Sequence, residues 1–274
     1  MKNFAKVLFL LLSASLWFWV TIIEPYFIID YDFAKITSSS WTKELDGLKI
    51  ALIADIHYTG GAVENWRLNN IIKKTNDAKP DIIILLGDYF QAGSPKRINL
   101  DLFSSYLKKL YAPLGVYAIL GNHDSYFGRN IVRDMISNAG IKVLENSNVK
   151  VKTPKGDFYL AAIADMITQN HFYTLALKGI PESAPTIFLS HTPDGFKYSP
   201  NDVKIMFSGH THGGQIKIPH YGAIFVNLRF DRIADGKLYR DGKTLYVSKG
   251  LGTSRIPVRF LCSPTIVIAT ISKE

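Results

Sequence analysis

The sequence predicts a single α/β domain preceded by one apolar N-terminal helix. Short apolar segments rich in β-branched residues alternate with helical segments from Leu48 onward, which is the pattern of an α/β fold. Polar residues follow the predicted strands where the strands end. One long apolar run without a charge lies near the N-terminus. With 47% hydrophobic residues, the 274-residue chain can bury a large core.

The apolar run is Val7–Ile23, and it contains 17 residues without a charge. A helix of this length spans about 26 Å, close to the ~30 Å hydrocarbon core of a bilayer. Trp17 and Trp19 suit the membrane interface. We predict an uncleaved anchor over residues 1–27 and a connecting segment over residues 28–47. The alternative is a cleaved signal peptide, with small residues at Ser13–Ser15 as the cleavage site.

Charge gives a prediction of orientation and of partners. Lys2 and Lys6 precede the apolar run, whereas Glu24, Asp30 and Asp32 follow it, so the positive-inside rule places the body outside the cytoplasm. The net charge of +9 favours an anionic partner such as a phosphate or a lipid headgroup. No nucleic-acid recognition motif is present, so no nucleic-acid partner is predicted. The oligomeric state stays open.

The body, residues 48–274, is predicted to be one domain with the following elements in chain order. The strands are Leu48–Ala54, Asp81–Leu86, Val116–Leu120, Lys142–Leu144, Phe158–Ile163, Thr186–Leu189, Lys204–Phe207 and Thr265–Ile271. The helices are Glu64–Ala78, Leu100–Leu110 and Asn130–Ala139. Asp241-Gly242 between two alternating segments predicts a hairpin.

Metal-ligating side chains follow five of the predicted strands. They are Asp55 and His57, then Asp88, then Asn122 with His123, then His191, and finally His210 with His212. Five of the seven histidines thus lie at strand ends, where open α/β sheets bind ligands. Alternate residues point the same way as the chain leaves a strand, so the two pairs can converge. A glycine before Asp88, Asn122 and His210 permits a sharp turn and a close backbone approach.

The chemistry of these residues predicts a pair of divalent metal ions. Cys262 is the only cysteine, which excludes an intrachain disulfide and a cysteine-based zinc cluster. Carboxylate, imidazole and amide ligands suit borderline-to-hard divalent metals. Seven ligands are too many for one open zinc site but fit two metals that share a carboxylate. We expect Mn²⁺, with Fe or Zn as alternatives.

The ordered set D-x-H, G-D, G-N-H-D, H and G-H-T-H resembles the calcineurin-like metallophosphoesterase superfamily over residues 48–271. The segments GHTHGGQIKIP and KLYRDGKTLYVSKGLGTSRIPVRF, with an anchor followed by Glu24-Pro25, are similar to a bacterial membrane-associated branch of YkuE- and YaeI-like proteins. That branch is related to UDP-2,3-diacylglucosamine pyrophosphatases. The resemblance implies a two-sheet β-sandwich flanked by helices, with both metals at the strand ends.

The resemblance also implies roles for individual residues. One metal takes Asp55, His57, Asp88 and His212, and the other takes Asp88, Asn122, His191 and His210. Asp88 would bridge the metals, and His123 would stabilise or protonate the leaving-group oxygen. Asn122, His123 and Arg255 would contact the substrate. Gln91 stands where many relatives have an aspartate that orients the catalytic histidine, and Asp124 is expected to hold its own loop.

These observations predict a membrane-associated phosphohydrolase that cleaves a phosphoester or pyrophosphate bond with metal-activated hydroxide. A lipid-linked substrate such as UDP-2,3-diacylglucosamine, in lipid A biosynthesis, is favoured, although it requires the cytoplasmic face. The basic residues that could receive a diphosphate or headgroup are Lys217, Arg229, Arg232, Arg255 and Arg259. The alternatives are an extracytoplasmic general phosphodiesterase or phosphomonoesterase and a non-catalytic metal-binding scaffold.

Overall fold

A computed structural model describes residues 2–93, 98–226 and 233–274. Its strands are β1 (Asp30–Ser38), β2 (Leu48–Ile53), β3 (Ile82–Leu85), β4 (Val116–Ala118), β5 (Lys142–Val143), β6 (Ser147–Thr153), β7 (Gly156–Ala162), β8 (Thr186–Leu189), β9 (Ile205–Ser208), β10 (Lys217–Ile218), β11 (Gly222–Ala223), β12 (Gly236–Arg240), β13 (Lys243–Val247) and β14 (Thr265–Lys273). Its α-helices are α1 (Lys2–Phe18), α2 (Ala62–Asp77), α3 (Leu100–Leu107), α4 (Asn122–Asn138), α5 (Tyr173–Ala176) and α6 (Gly195–Tyr198).

Twelve of these strands form two mixed six-stranded sheets. The first has the order β1-β14-β2-β3-β4-β5, and the second has the order β12-β13-β9-β8-β7-β6. Strands β2, β3 and β4 run parallel to one another, as do β7, β8 and β9. Parallel strands end at the same edge of a sheet, so each sheet brings the residues after its strands together at one edge.

The two sheets pack face to face because side chains alternate along each strand. Ile50 and Leu52 face the second sheet and share one buried core with Leu160 and Phe207. The intervening residues of the first sheet pack beneath α2, α3 and α4 in another core, and α5 and α6 cover the outer face of the second sheet. This arrangement confirms the predicted two-sheet sandwich flanked by helices.

The N-terminal apolar segment forms α1 and continues as a π-helical segment, Trp19–Phe27. Residues 2–27 form one helix that is long and apolar enough to cross a membrane, a property that signal sequences share. Among the described residues, no other helix has this length and composition. The helix could therefore anchor the chain to a membrane.

The structure differs from the prediction directly after this helix. Part of the predicted connecting segment 28–47 forms β1, which pairs in parallel with β14 at the edge of the first sheet. Ile36 is fully buried between the sheets. The sequence pattern missed β1 because its long-range partner, β14, lies at the other end of the chain, and because Asp30, Asp32 and Lys35 interrupt the apolar alternation.

The other predicted elements agree with the structure apart from their ends and two details. The strand β6 pairs with β7 and was not predicted, since its alternation is weak. Helix α4 begins at Asn122 rather than at Asn130, with a kink at Gly128. The Asp241-Gly242 hairpin between β12 and β13 is confirmed, and both residues have positive φ.

Candidate dimetal site

The predicted metal-ligating residues lie together at the carboxyl ends of the parallel strands. Asp55 and His57 follow β2, Asp88 follows β3, and Asn122 begins α4 after the short loop that follows β4. The second sheet contributes the other residues, which are His191 after β8 and His210 with His212 after β9. All seven side chains are buried, with at most 9% of any residue exposed. The site thus forms where the edges of the two sheets meet.

The first cluster consists of Asp55, His57 and His212, whose ligand atoms lie within 4.8 Å of one another. The His212 Nε2 atom lies 3.9 Å from Asp55 Oδ1, and the His57 and His212 ring centroids are 4.7 Å apart. The Asp55 carboxylate also accepts hydrogen bonds from the backbone N–H of His210, at 3.0 Å. This bond ties the loop after β2 to the loop after β9.

The second cluster consists of Asp88, His191 and His210, again with ligand atoms within 4.8 Å. The Asp88 Oδ2 atom lies 3.2 Å from His191 Nε2 and 3.5 Å from His57 Nε2. One carboxylate oxygen therefore faces an imidazole of each cluster. Its other oxygen accepts the backbone N–H of His123 at 2.8 Å, which fixes the orientation of the carboxylate.

Three imidazoles are held through Nδ1 by oxygen atoms outside the two clusters. The pairs are His57 with Gln91 Oε1 at 2.7 Å, His191 with Leu86 O at 2.7 Å, and His212 with Gly252 O at 3.3 Å. Each of these oxygens can only accept, so each Nδ1 carries the proton and donates it. With Nδ1 as the donor, each ring can offer its Nε2 lone pair to a metal ion, which is the arrangement of metal-ligating histidines.

Several buried polar atoms of the site lack a hydrogen-bond partner among the described residues. They are Nε2 of His57, His191 and His210, and Oδ1 of Asn122. Unpaired buried polar atoms carry a large desolvation cost, so their convergence indicates a ligand that binds lone pairs. Nitrogen and oxygen donors without sulfur fit divalent cations. The buried His/Asp clusters are therefore suited to binding a pair of divalent metal ions.

The electrostatics of the site favour the same ligand. Burial raises the pKa of Asp88, but the imidazoles of His191 and His57 outweigh burial and lower the pKa well below its usual value. Burial lowers the pKa of His210 to about 3, and burial and the neighbouring His57 lower that of His212 well below its ordinary value. For Asp88, His210 and His212, this is the protonation state that metal binding requires. Burial lowers the pKa of His191, but the Asp88 carboxylate outweighs burial and raises it well above its ordinary value, and burial raises the pKa of Asp55 to about 6. Metal binding therefore displaces a proton from His191.

The backbone at the site is strained. Five of the clustered residues have φ between 49° and 72°, in the left-handed region: Asp55, His57, Asp88, His210 and His212. Such φ values are uncommon for residues other than glycine and persist only where the surrounding structure enforces them. Their concentration here indicates a site at which ligand geometry takes precedence over local backbone preference.

Two glycines allow the strand ends to approach one another. Gly87, at φ +93°, leaves room for Gly121, because a Cβ atom at position 87 would lie 2.6 Å from Gly121 N. A Cβ at Gly121 would lie 2.2 Å from Asp88 Oδ1 and 2.7 Å from His191 Cε1. Both glycines are therefore required by close contact at the centre of the site.

We expect Gly121→Ala to lower hydrolysis by roughly 100-fold, because the new methyl group displaces the Asp88 carboxylate and the His191 ring. Steady-state kinetics and metal content of the purified variant test this. Gly47→Ala is the control, since position 47 has a positive φ but open space around it. Equal losses in both variants would contradict a specific clash at the site.

Asp124 connects the loops of the site rather than holding its own loop alone. Its carboxylate accepts the backbone N–H groups of Gly121, Asp88 and Tyr89 at 2.8–2.9 Å. Two of these groups belong to the loop after β3 and one to the loop after β4. Asp124 therefore holds the two loops in register through their backbone N–H groups.

Gln91 lies in a different place from the one that the resemblance implies. Its side chain pairs with His57, a residue of the first cluster, and not with His123. His123 Nδ1 instead accepts the backbone N–H of Ala92 at 3.0 Å. The residue at position 91 thus orients a candidate metal ligand, and the sequence alone did not reveal this partner because the turn after β3 sets it.

We expect Gln91→Ala to weaken metal binding by about 10- to 100-fold, because His57 loses the acceptor that fixes its ring and tautomer. Metal titration of the metal-free chain measures the effect. Gln91→Glu retains an acceptor and serves as the matched control. Unchanged affinity in the alanine variant would show that the hydrogen bond does not orient His57.

A cavity of about 550 Å³ opens over the clusters and is lined in part by Asp88, Asn122 and His123. Arg255 and several apolar side chains line its outer part, including Ile167, Ile224, Phe225 and Ile256. All three residues predicted to contact substrate, Asn122, His123 and Arg255, therefore face the same space. The cavity joins a polar floor to an apolar mouth.

The other basic residues with a predicted substrate role lie elsewhere. Arg259 is fully buried and donates to backbone carbonyls, so its guanidinium does not reach the cavity surface. Lys217 forms an ion pair with Asp235. Arg229 and Arg232 lie outside the described residues. Arg255 is thus the predicted basic residue that the structure places at the cavity.

A two-sheet sandwich with histidine and aspartate clusters at its strand ends defines a class of metal-dependent phosphoester hydrolases. The sequence profile for calcineurin-like phosphoesterases matches residues 48–214, and the chain belongs to this family. It is 31% identical over 260 residues to the metallophosphoesterase YkuE of Bacillus subtilis, covering 91% of this chain and 87% of that one.

Two further relatives carry names that describe an activity. The chain is 29% identical over 227 residues to the phosphodiesterase YaeI of Escherichia coli, covering 80% of each chain. It is 25% identical over 316 residues to the UDP-2,3-diacylglucosamine pyrophosphatase LpxG of Chlamydia muridarum, covering 92% of each. The protein is therefore a metal-dependent hydrolase of phosphoric esters or diphosphates.

Proposed function

We propose that this protein is a membrane-associated dimetal phosphohydrolase that cleaves a lipid-linked phosphoester or pyrophosphate. The position of the Asp88 Oδ2 atom, 3.2 Å and 3.5 Å from one imidazole nitrogen of each cluster, carries the dimetal part of this proposal. Asp55, His57 and His212 complete one metal site, and Asn122, His191 and His210 complete the other. We favour Mn²⁺ for both sites, with Fe or Zn as alternatives.

A bound metal pair supplies two kinds of chemistry, a lowered pKa for a water molecule and positive charge for phosphate oxygens. Asp88 and the clustered imidazoles would hold this pair. The backbone N–H of His123 fixes the Asp88 carboxylate, and the carbonyl oxygen of Leu86 fixes the His191 ring through its Nδ1. These contacts of the chain with itself hold the groups in place for the charge that develops during hydrolysis.

His123 is suited to act on the leaving group. Its Nδ1 accepts the Ala92 N–H, so the proton of the neutral ring lies on Nε2. Burial lowers the pKa of His123 to about 4, so the ring is neutral near pH 7. His123 lines the cavity, and we propose that its Nε2–H donates a hydrogen bond to the leaving-group oxygen.

The apolar mouth of the cavity supports a lipid-linked substrate. Ile224, Phe225 and Ile256 are about half exposed there, beside the Arg255 guanidinium, which can pair with a phosphate. The relative LpxG is named for UDP-2,3-diacylglucosamine, a diphosphate that carries acyl chains. UDP-2,3-diacylglucosamine, in lipid A biosynthesis, is accordingly the substrate that we favour, and it requires the domain to lie in the cytoplasm.

A general phosphodiesterase acting outside the cytoplasm is the second candidate. It is favoured by Lys2 and Lys6 before the apolar helix and by Asp30 and Asp32 after it. The relative YaeI is named as a phosphodiesterase. A reporter enzyme fused after Glu274 separates the candidates, because only a cytoplasmic C-terminus is compatible with a UDP-linked substrate.

The full chain in detergent tests the reaction itself. We expect two metal ions per chain and hydrolysis of UDP-2,3-diacylglucosamine in preference to a phospholipid and a nucleotide diester. Cleavage of small soluble diesters alone would contradict the lipid-linked substrate but would still agree with a phosphohydrolase activity. Fewer than two metal ions per chain in an active preparation would contradict the dimetal site.

A further inference from the structure

We propose that an apolar rim beside the active-site cavity docks onto the phospholipid bilayer, so that the catalytic opening faces the membrane surface. The membrane-contact rim consists of Phe27, Val63, Trp66, Phe225 and Ile256, which are 46–55% exposed. The inference rests on the proposed function in one respect, that the N-terminal helix is inserted in a membrane. It adds which face of the domain meets the lipid.

The exposed length of the helix fixes the level of the bilayer surface. The side chains of residues 2–19 are all exposed, and burial against the domain begins at Val20. Eighteen helical residues span about 27 Å, close to the hydrocarbon thickness of a bilayer. If these residues cross the bilayer, its surface lies near Val20, and the domain begins immediately at that surface.

The end of the helix is fixed to the domain rather than joined by a loose linker. Arg259 N donates to Val20 O at 2.9 Å, and Cys262 N donates to Glu24 Oε1 at 2.8 Å. Glu24 is 3% exposed and also accepts Trp19 Nε1–H at 3.2 Å. These bonds between the helix end and residues 259–262 set one orientation of the domain against the bilayer.

The same helix end lies at the active site. Pro25 and Tyr26 line a second cavity of about 180 Å³ together with His57 and Gln91. Arg255 and Ile256 line both this cavity and the larger one over the clusters. The opening of the site therefore borders the point at which the chain leaves the membrane.

Two ring contacts place the aromatic residues of the rim next to the helix exit and the cavity. The Phe27 and Trp66 rings lie 5.3 Å apart, which places the start of α2 beside the helix exit. The Arg255 guanidinium lies 5.6 Å from the Phe225 ring centroid, which places Phe225 beside the shared cavity wall. The rim thus surrounds the exit of the helix and the mouth of the cavity.

The composition of the rim fits a phospholipid surface. Moving exposed aromatic and aliphatic side chains from water into the interface is favourable, and tryptophan is enriched at that depth. Arg255 would lie at the level of the headgroups, where a cation is attracted to anionic lipids. Continuity with the helix exit singles out the bilayer as the occupant of this surface.

Site-specific fluorescence on the full chain tests the proposal. Cys262, the only cysteine, is buried, so a single cysteine can be introduced and labelled with an environment-sensitive dye. The rim variants are Phe225→Cys and Trp66→Cys. Tyr111→Cys is the control, since Tyr111 is 72% exposed and precedes β4, at the sheet edge opposite the site. Phe9→Cys reports insertion of the helix.

The probe is a vesicle of phosphatidylcholine and phosphatidylglycerol that contains brominated phosphatidylcholine as a quencher. We expect roughly a twofold loss of fluorescence at the two rim positions and no loss at position 111. Quenching at position 9 with none at the rim would overturn the proposal. A rim signal that depends on protein concentration in detergent, and not on lipid, would indicate a second copy and would also overturn it. Metal content and hydrolysis of the unlabelled chain test the proposed function separately.

Discussion

Asp88→Asn is expected to abolish hydrolysis, with kcat lower by roughly 1,000-fold or more. The Asp88 Oδ2 atom faces His191 in one cluster and His57 in the other, at 3.2 Å and 3.5 Å. An amide keeps the size of the side chain but removes the negative charge that the two proposed metal sites share. The substitution therefore weakens both sites together, whereas loss of any other clustered residue weakens only one.

Metal analysis together with hydrolysis of a chromogenic phosphodiester measures this effect. The matched control is Asp157→Asn, a surface aspartate on β7 that pairs with Lys150, and it should change neither quantity. Near-normal turnover by the Asp88 variant with two metal ions bound would refute the role of the shared carboxylate. Loss of metal with retained turnover would show that the reaction needs no metal pair.

The sequence predicted which polar residues lie together at the strand ends, because their positions follow from strand geometry. Each clustered residue lies within about four residues of the end of an apolar strand, and parallel strands end at one edge. The approach of Asp55 and His57 to Asp88 can therefore be predicted without knowledge of side-chain packing. The sandwich itself followed from the family resemblance, since the order of strands within each sheet depends on contacts between distant parts of the chain.

The supporting contacts could not be predicted because backbone atoms provide many of them. The carbonyl of Leu86 holds His191 from 105 residues away, and the carbonyl of Gly252 holds His212. A carbonyl is present at every residue, so no residue type marks these positions. Arg259 was misplaced for a similar reason, since a single basic residue among apolar neighbours has the same sequence pattern whether its side chain binds phosphate or buried carbonyl oxygens.

Arg259→Lys is expected to lower the free energy of unfolding by about 3–5 kcal/mol. The fully buried guanidinium donates to the carbonyl oxygens of Lys249, Gly252 and Cys262 at 2.6–3.0 Å. Burial lowers the pKa of Arg259 to about 10, so it remains charged near pH 7. A lysine has one nitrogen and cannot reach all three carbonyls, so buried acceptors lose their partners.

The same change is expected to weaken metal binding, because Gly252 O both accepts from Arg259 and holds Nδ1 of His212. Guanidinium denaturation in a fixed detergent measures stability, and metal titration measures the second effect. Arg133→Lys, on the surface of α4, is the control and should shift stability by less than about 0.5 kcal/mol. A loss of stability with unchanged metal affinity would show that Arg259 stabilises the fold but does not position the Gly252 carbonyl for His212. A loss of both stability and metal affinity would show that Arg259 holds residues 249–262 in the position that His212 needs. A lysine at position 259 preserves the positive charge and removes only the set of hydrogen bonds to three carbonyls, so the loss could not be assigned to the charge.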